Sequence, residues 1–278
     1  MRPERAALER ELSPSSRARD VTGTLAEYRE RSLAALHTLD HRADVPYGPD
    51  PSERLHHFPP RRAGAPLLVF VHGGHWQESS KEDACFAAPA LLAAGAGYVA
   101  LGYGLAPRRR LPEMSASVRR GLAWVRAHAT ALGGRGDAVY AAGSSAGAHL
   151  VAMATGGQDG VPLAGICLLS GLYDLRPVVG SYVNDALRLD PETAREQSPL
   201  YRTPPRAGQL LLARGGHETG EYARQQDRFA AALRSAGRPV TELVDEDRDH
   251  FELPLDLGDP RTPLGREVLH RLRPDAVP

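Results

Sequence analysis

The feature that most constrains this chain is its alternation of short apolar runs with helical periods. "LLVFVH", "GYVALGY", "DAVYAAG", "LAGICLLSG", "QLLLARG" and "PVTELVD" each have the length of a strand. Between the second and third, Met114, Val118, Leu122, Val125, Ala129 and Leu132 recur at three-and-four spacing and form one apolar stripe, with arginines facing away. A helix is also expected through Tyr222, Phe229 and Leu233, another over 83–94 and another over 24–39, while "ERLHHF" and its Pro-flanked neighbours read as edge strands. Strands linked through helices run parallel and are covered on both faces. The alternation therefore predicts an α/β fold with a mostly parallel central sheet, helices on both faces, and ligand chemistry at the carboxyl ends of the strands.

A chain of 278 residues has room for one large domain or two. No repeat, low-complexity tract or dividing linker is visible, so a single domain over 1–278 is expected, with the Pro- and charge-rich excursion 175–206 as a cap over the site. Lys+Arg and Asp+Glu each total 34. That balance leaves no net field to draw the chain to nucleic acid or an anionic membrane. The N-terminus is charged where a signal peptide needs an apolar stretch, and no apolar run has the length of a membrane span, so a cytoplasmic, soluble protein is expected. Cys85 and Cys167 form no disulfide framework or CxxC motif.

One stretch carries chemistry. "G-S-S-A-G" (143–147) fits G-x-S-x-G between a strand and a small-residue helix, which is the setting of a nucleophile elbow. Ser145 stands at its centre. A serine hydroxyl needs a base, and the base needs an acid to hold its tautomer. His250, in "DRDHFEL" after the last expected strand, fits the base. The turn "GGHETGEY" after "QLLLARG" offers Glu218 first and Glu221 second as the acid, ahead of Asp174, Asp245, Asp247 and Asp249. "VHGGHW" has the form of an oxyanion loop, in which Gly73, Gly74 and the amide of Ala146 would stabilise a tetrahedral intermediate. The same stretch can be read as a metal site through His72 and His75. No third ligand of matching spacing accompanies them, so no metal and no cofactor are expected.

Beyond these residues, the chain resembles the kynurenine formamidases (arylformamidases), serine hydrolases of the α/β-hydrolase fold. The resemblance runs through "VPYGPD", "HGGHWQESSKED", "YGLAP", "GSSAGAHL", "SGLYDLRPVV", "NDALRLDPETAREQSPL" and "DHFEL", in that order. It implies Ser145 as nucleophile, Glu218 as acid, His250 as base, and Gly73, Gly74 and Ala146 as the oxyanion hole. It also implies that Trp76 lines the pocket; apart from the resemblance, the substrate ring is expected to stack on a tryptophan or on a tyrosine such as Tyr173. The chain departs from the family pattern at His75, where an aromatic is common, at Ser144, where the family has His, and at Glu218, where it has Asp. His75 and Ser144 bear on selectivity.

The expected reaction is hydrolysis of N-formylkynurenine or a related aryl formamide, in tryptophan breakdown or in the supply of an arylamine precursor. A homodimer is compatible with the resemblance. The alternative enzyme is a small-acyl carboxylesterase of the hormone-sensitive-lipase-like group, which shares the HGG loop and "Y-x-L-A-P". A non-catalytic ligand receptor on the same scaffold is a third reading, weakened because all three triad positions are filled.

Overall fold

A computed structural model describes residues 3–273. Two helices come first, α1 (Pro3–Glu11) and α2 (Val21–Thr38). The strands β1 (Arg42–Pro46), β2 (Arg54–Phe58) and β3 (Ala65–Val71) follow, then α3 (Ala88–Ala93), β4 (Gly97–Leu101), α4 (Leu111–Ala127) and β5 (Gly134–Ser144). Next come α5 (Ala146–Thr155), β6 (Leu163–Leu169), the short helices α6 (Asn184–Leu187) and α7 (Pro191–Glu196), β7 (Ala207–His217), α8 (Gly220–Ser235), β8 (Thr241–Asp249) and α9 (Pro263–Arg271). The described residues form one eight-stranded sheet in the order β1-β2-β4-β3-β5-β6-β7-β8. β1/β2 and β2/β4 pair antiparallel and every later neighbour is parallel, as the alternation predicts.

The pleat of β3 shows how the two layers are built. Leu67, Val69 and Val71 face one side, where Val118 and Leu122 of α4 and Leu150 of α5 pack against them. Leu68 and Phe70 face the other, against Leu91 of α3 and Val268 of α9. Side chains alternate along a strand, so one apolar run supplies both cores. Each fully buried Leu or Val stabilises the fold by about 1.5–3 kcal/mol relative to an exposed one. The α4 stripe is buried from Met114 to Val125. Its last two members, Ala129 and Leu132, are also buried but lie beyond the helix end at Ala127, in the turn that Gly133 closes at φ +79°.

α5 is buried along its whole length. Its Ala- and Gly-rich N-terminal turn lets it approach the sheet closely, and this proximity fixes the tight turn at Ser145.

Candidate active site

Ser145 sits between the end of β5 and the start of α5 with φ +54° and ψ −116°. A non-glycine residue held there stores about 1–3 kcal/mol of strain and needs surroundings that over-determine it. A Cβ on Gly143 would lie 2.4 Å from the carbonyl oxygen of Gly147, and one on Gly147 would lie 2.0 Å from that of Val71. Both positions therefore admit only glycine. The Ser145 amide donates to the Leu169 carbonyl at 2.8 Å, tying the turn to β6.

The loop after β3 comes up against this turn. A Cβ on Gly73 would stand 2.9 Å from the Ser144 carbonyl oxygen and 3.3 Å from the Ser145 Cβ, so the bare backbone is what allows the approach. Gly74 has φ +99°, and His75 and Trp76 follow at +47° and +61°. This run of left-handed residues coils the chain tightly over the nucleophile.

His250 and Glu218 meet beside it. Nδ1 of His250 lies 3.0 Å from Oε2 of Glu218, both side chains being buried. The other carboxylate oxygen accepts from the Ser170 hydroxyl at 2.5 Å and the Gly215 amide at 2.7 Å. With Nδ1–H donated to Glu218, Nε2 of His250 keeps its lone pair. Glu221 points elsewhere, toward Arg224 and Gln225. Asp174 binds Arg176 and Arg228. Burial raises its pKa, but the hydrogen bonds from those arginines outweigh this and hold it well below the usual carboxylate range. Asp249 accepts from the Phe251 and Glu252 amides and from the Arg19 amide, which braces the His250 loop.

Sequence reasoning missed Tyr222. Its ring lies edge-on to His250 at 4.6 Å, and its hydroxyl is 3.5 Å from Nε2 of His75. Burial, with the charge of Glu218, pushes the phenol above its ordinary value, and a hydrogen bond with the Ser145 side chain pulls the other way. Its buried position in the helix was legible as core, whereas its nearness to the nucleophile was not.

A cavity of about 370 Å³ opens above Ser145, His250, Gly73 and Gly74. His75 lines it. Trp76 and Tyr173, expected in its wall, are placed in the core instead. Trp76 is fully buried, and its indole N–H donates to Nδ1 of His149 at 3.2 Å, while Nε2 of His149 bonds the Gln197 carbonyl at 2.7 Å. Tyr173 stacks on Phe229 with ring centroids 4.2 Å apart. The left-handed turn at Trp76 carries the indole under the loop, away from the cavity. Aromatic surface comes from Tyr28, Phe86, Tyr182 and Phe251.

The cover also differs from expectation. Of the excursion 175–206, Tyr182 reaches the cavity, whereas the facing wall comes from the N-terminal segment through Pro14, Val21 and Leu25. The two histidines weighed as metal ligands turn to different partners. Nδ1 of His72 faces the Gly73 carbonyl at 2.9 Å with its ring stacked on Tyr103, while His75 faces Tyr222. Burial brings both down to about 4, so each ring is neutral at pH 7.

The BD-FAE family model matches residues 56–165. A kynurenine formamidase of Danio rerio is 33% identical over 87% of this chain and 85% of its own length, and one of Salmo salar is 33% identical over 88% and 89%. Esterase LipC of Mycobacterium tuberculosis is 30% identical over 71% of this chain and 56% of its own. Among solved structures, a putative thioesterase of Silicibacter sp. superposes with a TM-score of 0.78 at 23% identity, covering 90% of this chain and 94% of that one. An esterase of Pyrobaculum calidifontis superposes with 0.68 at 19%, covering 97% and 95%. These two likenesses show the fold.

Proposed function

Because the chain belongs to the kynurenine formamidase family of α/β-hydrolases, we propose that it hydrolyses N-formylkynurenine or a close aryl formamide to formate and the free arylamine. The observation that carries this reading is the strained Ser145, standing beside the His250–Glu218 pair and under a glycine loop, at the floor of an aromatic-walled cavity.

Ser145 Oγ attacks the formyl carbon as Nε2 of His250 takes its proton. Glu218 holds the tautomer that leaves Nε2 able to accept and stabilises the imidazolium. The oxyanion is met by backbone N–H groups of Gly73, Gly74 and Ala146, a contribution worth about 3–4 kcal/mol per donor in comparable sites. His250 then gives its proton to the amide nitrogen, without which an arylamine is a poor leaving group. Water, deprotonated by His250, attacks the formyl-serine ester; the bond from the formyl carbon to Ser145 Oγ then breaks as His250 returns the proton to Oγ, and formate departs. The described residues act as one unit, with Pro14, Ser15, α2 and Tyr182 of 175–206 covering the site. The chemistry fits tryptophan breakdown.

Esterase relatives share the scaffold, and a small-acyl ester is the second reading. The test is formate release from N-formylkynurenine by wild type and Ser145→Ala, with fluorophosphonate labelling in parallel. Labelled wild type that releases formate, with kcat lower by about 10⁴-fold or more in the variant, is expected, since nucleophile and base act as one unit. A folded wild type that neither labels nor turns over would return the scaffold to a receptor role.

A further inference from the structure

The wall facing Ser145 carries charged groups that the hydrolytic steps leave unused. α2 presents Val21, Leu25 and Tyr28 to the cavity, and Arg29 reaches the same space from the next position. Among the described residues lining it, Arg29 is the only arginine or lysine. Its Nε lies 3.6 Å from Oδ1 of Asp83, whose Oδ2 accepts from the Ser80 hydroxyl at 3.0 Å.

The frame around this pair is fixed. The Tyr28 hydroxyl donates to the Phe251 carbonyl at 2.9 Å, and the Ser32 hydroxyl accepts the Cys85 amide at 3.0 Å, so α2 is pinned on both sides of Arg29. The pair itself is loose. At 3.6 Å it is longer than a good hydrogen bond, and the Arg29 side chain is 69% exposed, so its own contribution to stability is small. A guanidinium and a carboxylate held side by side at a cavity mouth, on rigid elements but weakly engaged with each other, match a ligand group carrying both charges. Exchanging the internal contact for two ligand contacts leaves neither charge unpaired, and the guanidinium can take a carboxylate through two parallel N–H donors.

We propose that Arg29 and Asp83 form a headgroup site for a zwitterionic α-amino acid substituent on the aryl formamide, Arg29 taking the carboxylate and Asp83 the ammonium. This rests on the formamidase reading and adds to it the two residues that recognise the amino acid group of the substrate, with the ring held between the headgroup site and the nucleophile. An aryl formamide without that substituent keeps the aromatic contacts and gains nothing at the mouth.

The test separates binding from turnover. Calorimetric titration compares L-kynurenine with 2′-aminoacetophenone, which has the same aryl ketone without the amino acid, on wild type, Arg29→Gln, Arg29→Lys and Asp83→Asn. Arg29→Gln should weaken kynurenine by about 10- to 50-fold and 2′-aminoacetophenone by less than about twofold, with Arg29→Lys recovering part of the loss and Asp83→Asn weakening kynurenine alone. Equal effects on both ligands, no effect on either, or absence of kynurenine binding to wild type would overturn the proposal. Formate release from N-formylkynurenine and 2′-formamidoacetophenone is read on the same proteins. Arg29-dependent kynurenine binding without formamide turnover removes the formamidase reading and keeps the headgroup site; turnover insensitive to Arg29 does the reverse.

Discussion

The indole N–H of Trp76 donates to Nδ1 of His149 at 3.2 Å, joining the loop over the nucleophile to the helix that follows it. The two rings meet edge to face at 5.2 Å, and Nε2 of His149 is anchored on the Gln197 carbonyl. This strut sets the height of the Gly73–Gly74 backbone above Ser145. Trp76 bears on the loop from the core side and lies outside the cavity wall.

Trp76→Ala should cost about 3–5 kcal/mol of stability, as removal of a buried aromatic does. His149→Leu should cost about 2–4 kcal/mol, since it strands the indole N–H and the Gln197 carbonyl. Both should lower kcat without shifting preference toward longer acyl groups. Urea unfolding and a formyl-to-butyryl substrate series check this; a Trp76→Ala protein of normal stability with a broadened acyl range would place the indole in the pocket.

Glu218→Ala should reduce kcat by about 10³- to 10⁴-fold, because the His250 tautomer loses its partner and Ser170 and Gly215 lose their acceptor. Glu221→Ala should stay within a few-fold of wild type. Steady-state kinetics on the two variants decides it, and the reverse order would move the acid to Glu221.

Tyr222→Phe removes the hydroxyl shared between His75 and Ser145 and keeps the ring against His250. We expect kcat to fall by about tenfold with KM nearly unchanged and stability within about 1 kcal/mol of wild type, the pattern of a group that positions the nucleophile. An unchanged kcat would reduce Tyr222 to a packing residue.

Stability should fall as the pH drops below neutral. Burial lowers His57, His72 and His149 from 6.5 to about 4, so the folded state keeps these rings neutral where the unfolded chain takes up protons. Their contribution is complete above pH 6.5 and is lost progressively toward pH 4, at up to about 1.4 kcal/mol per ring per pH unit. Urea unfolding at pH 7.5, 6.5 and 5.5 measures the slope, and a flat profile would contradict the burial of these rings in neutral form.

The sequence made legible whatever backbone geometry imposes locally. Gly143 and Gly147 flank Ser145 because no Cβ fits there, and β3 reads as an apolar run because both of its faces are covered. Trp76 was not legible in the same way, since an indole beside a glycine loop has one appearance whether it turns to the cavity or to a histidine 73 positions away. The cover was harder still. Val21, Leu25 and Tyr28 have helical spacing, but the surface they face is set by a bond from Arg19 to Asp249 across 230 residues. Glu218 was legible because Glu221 falls inside the helix that follows the turn and because the family resemblance places the acid at 218.

The central claim is that this site removes a formyl group from an arylamine. The most direct measurement is kcat/KM for N-formylkynurenine, its N-acetyl analogue, p-nitrophenyl acetate and p-nitrophenyl butyrate on one preparation of wild type, with Ser145→Ala as the blank. A formyl group needs almost no acyl room, and each methylene forced against a rigid wall costs about 1–3 kcal/mol, so acetyl should trail formyl by roughly 10- to 100-fold on the same arylamine. Butyrate as the best substrate with the formamide inert would make the protein an esterase and contradict the claim.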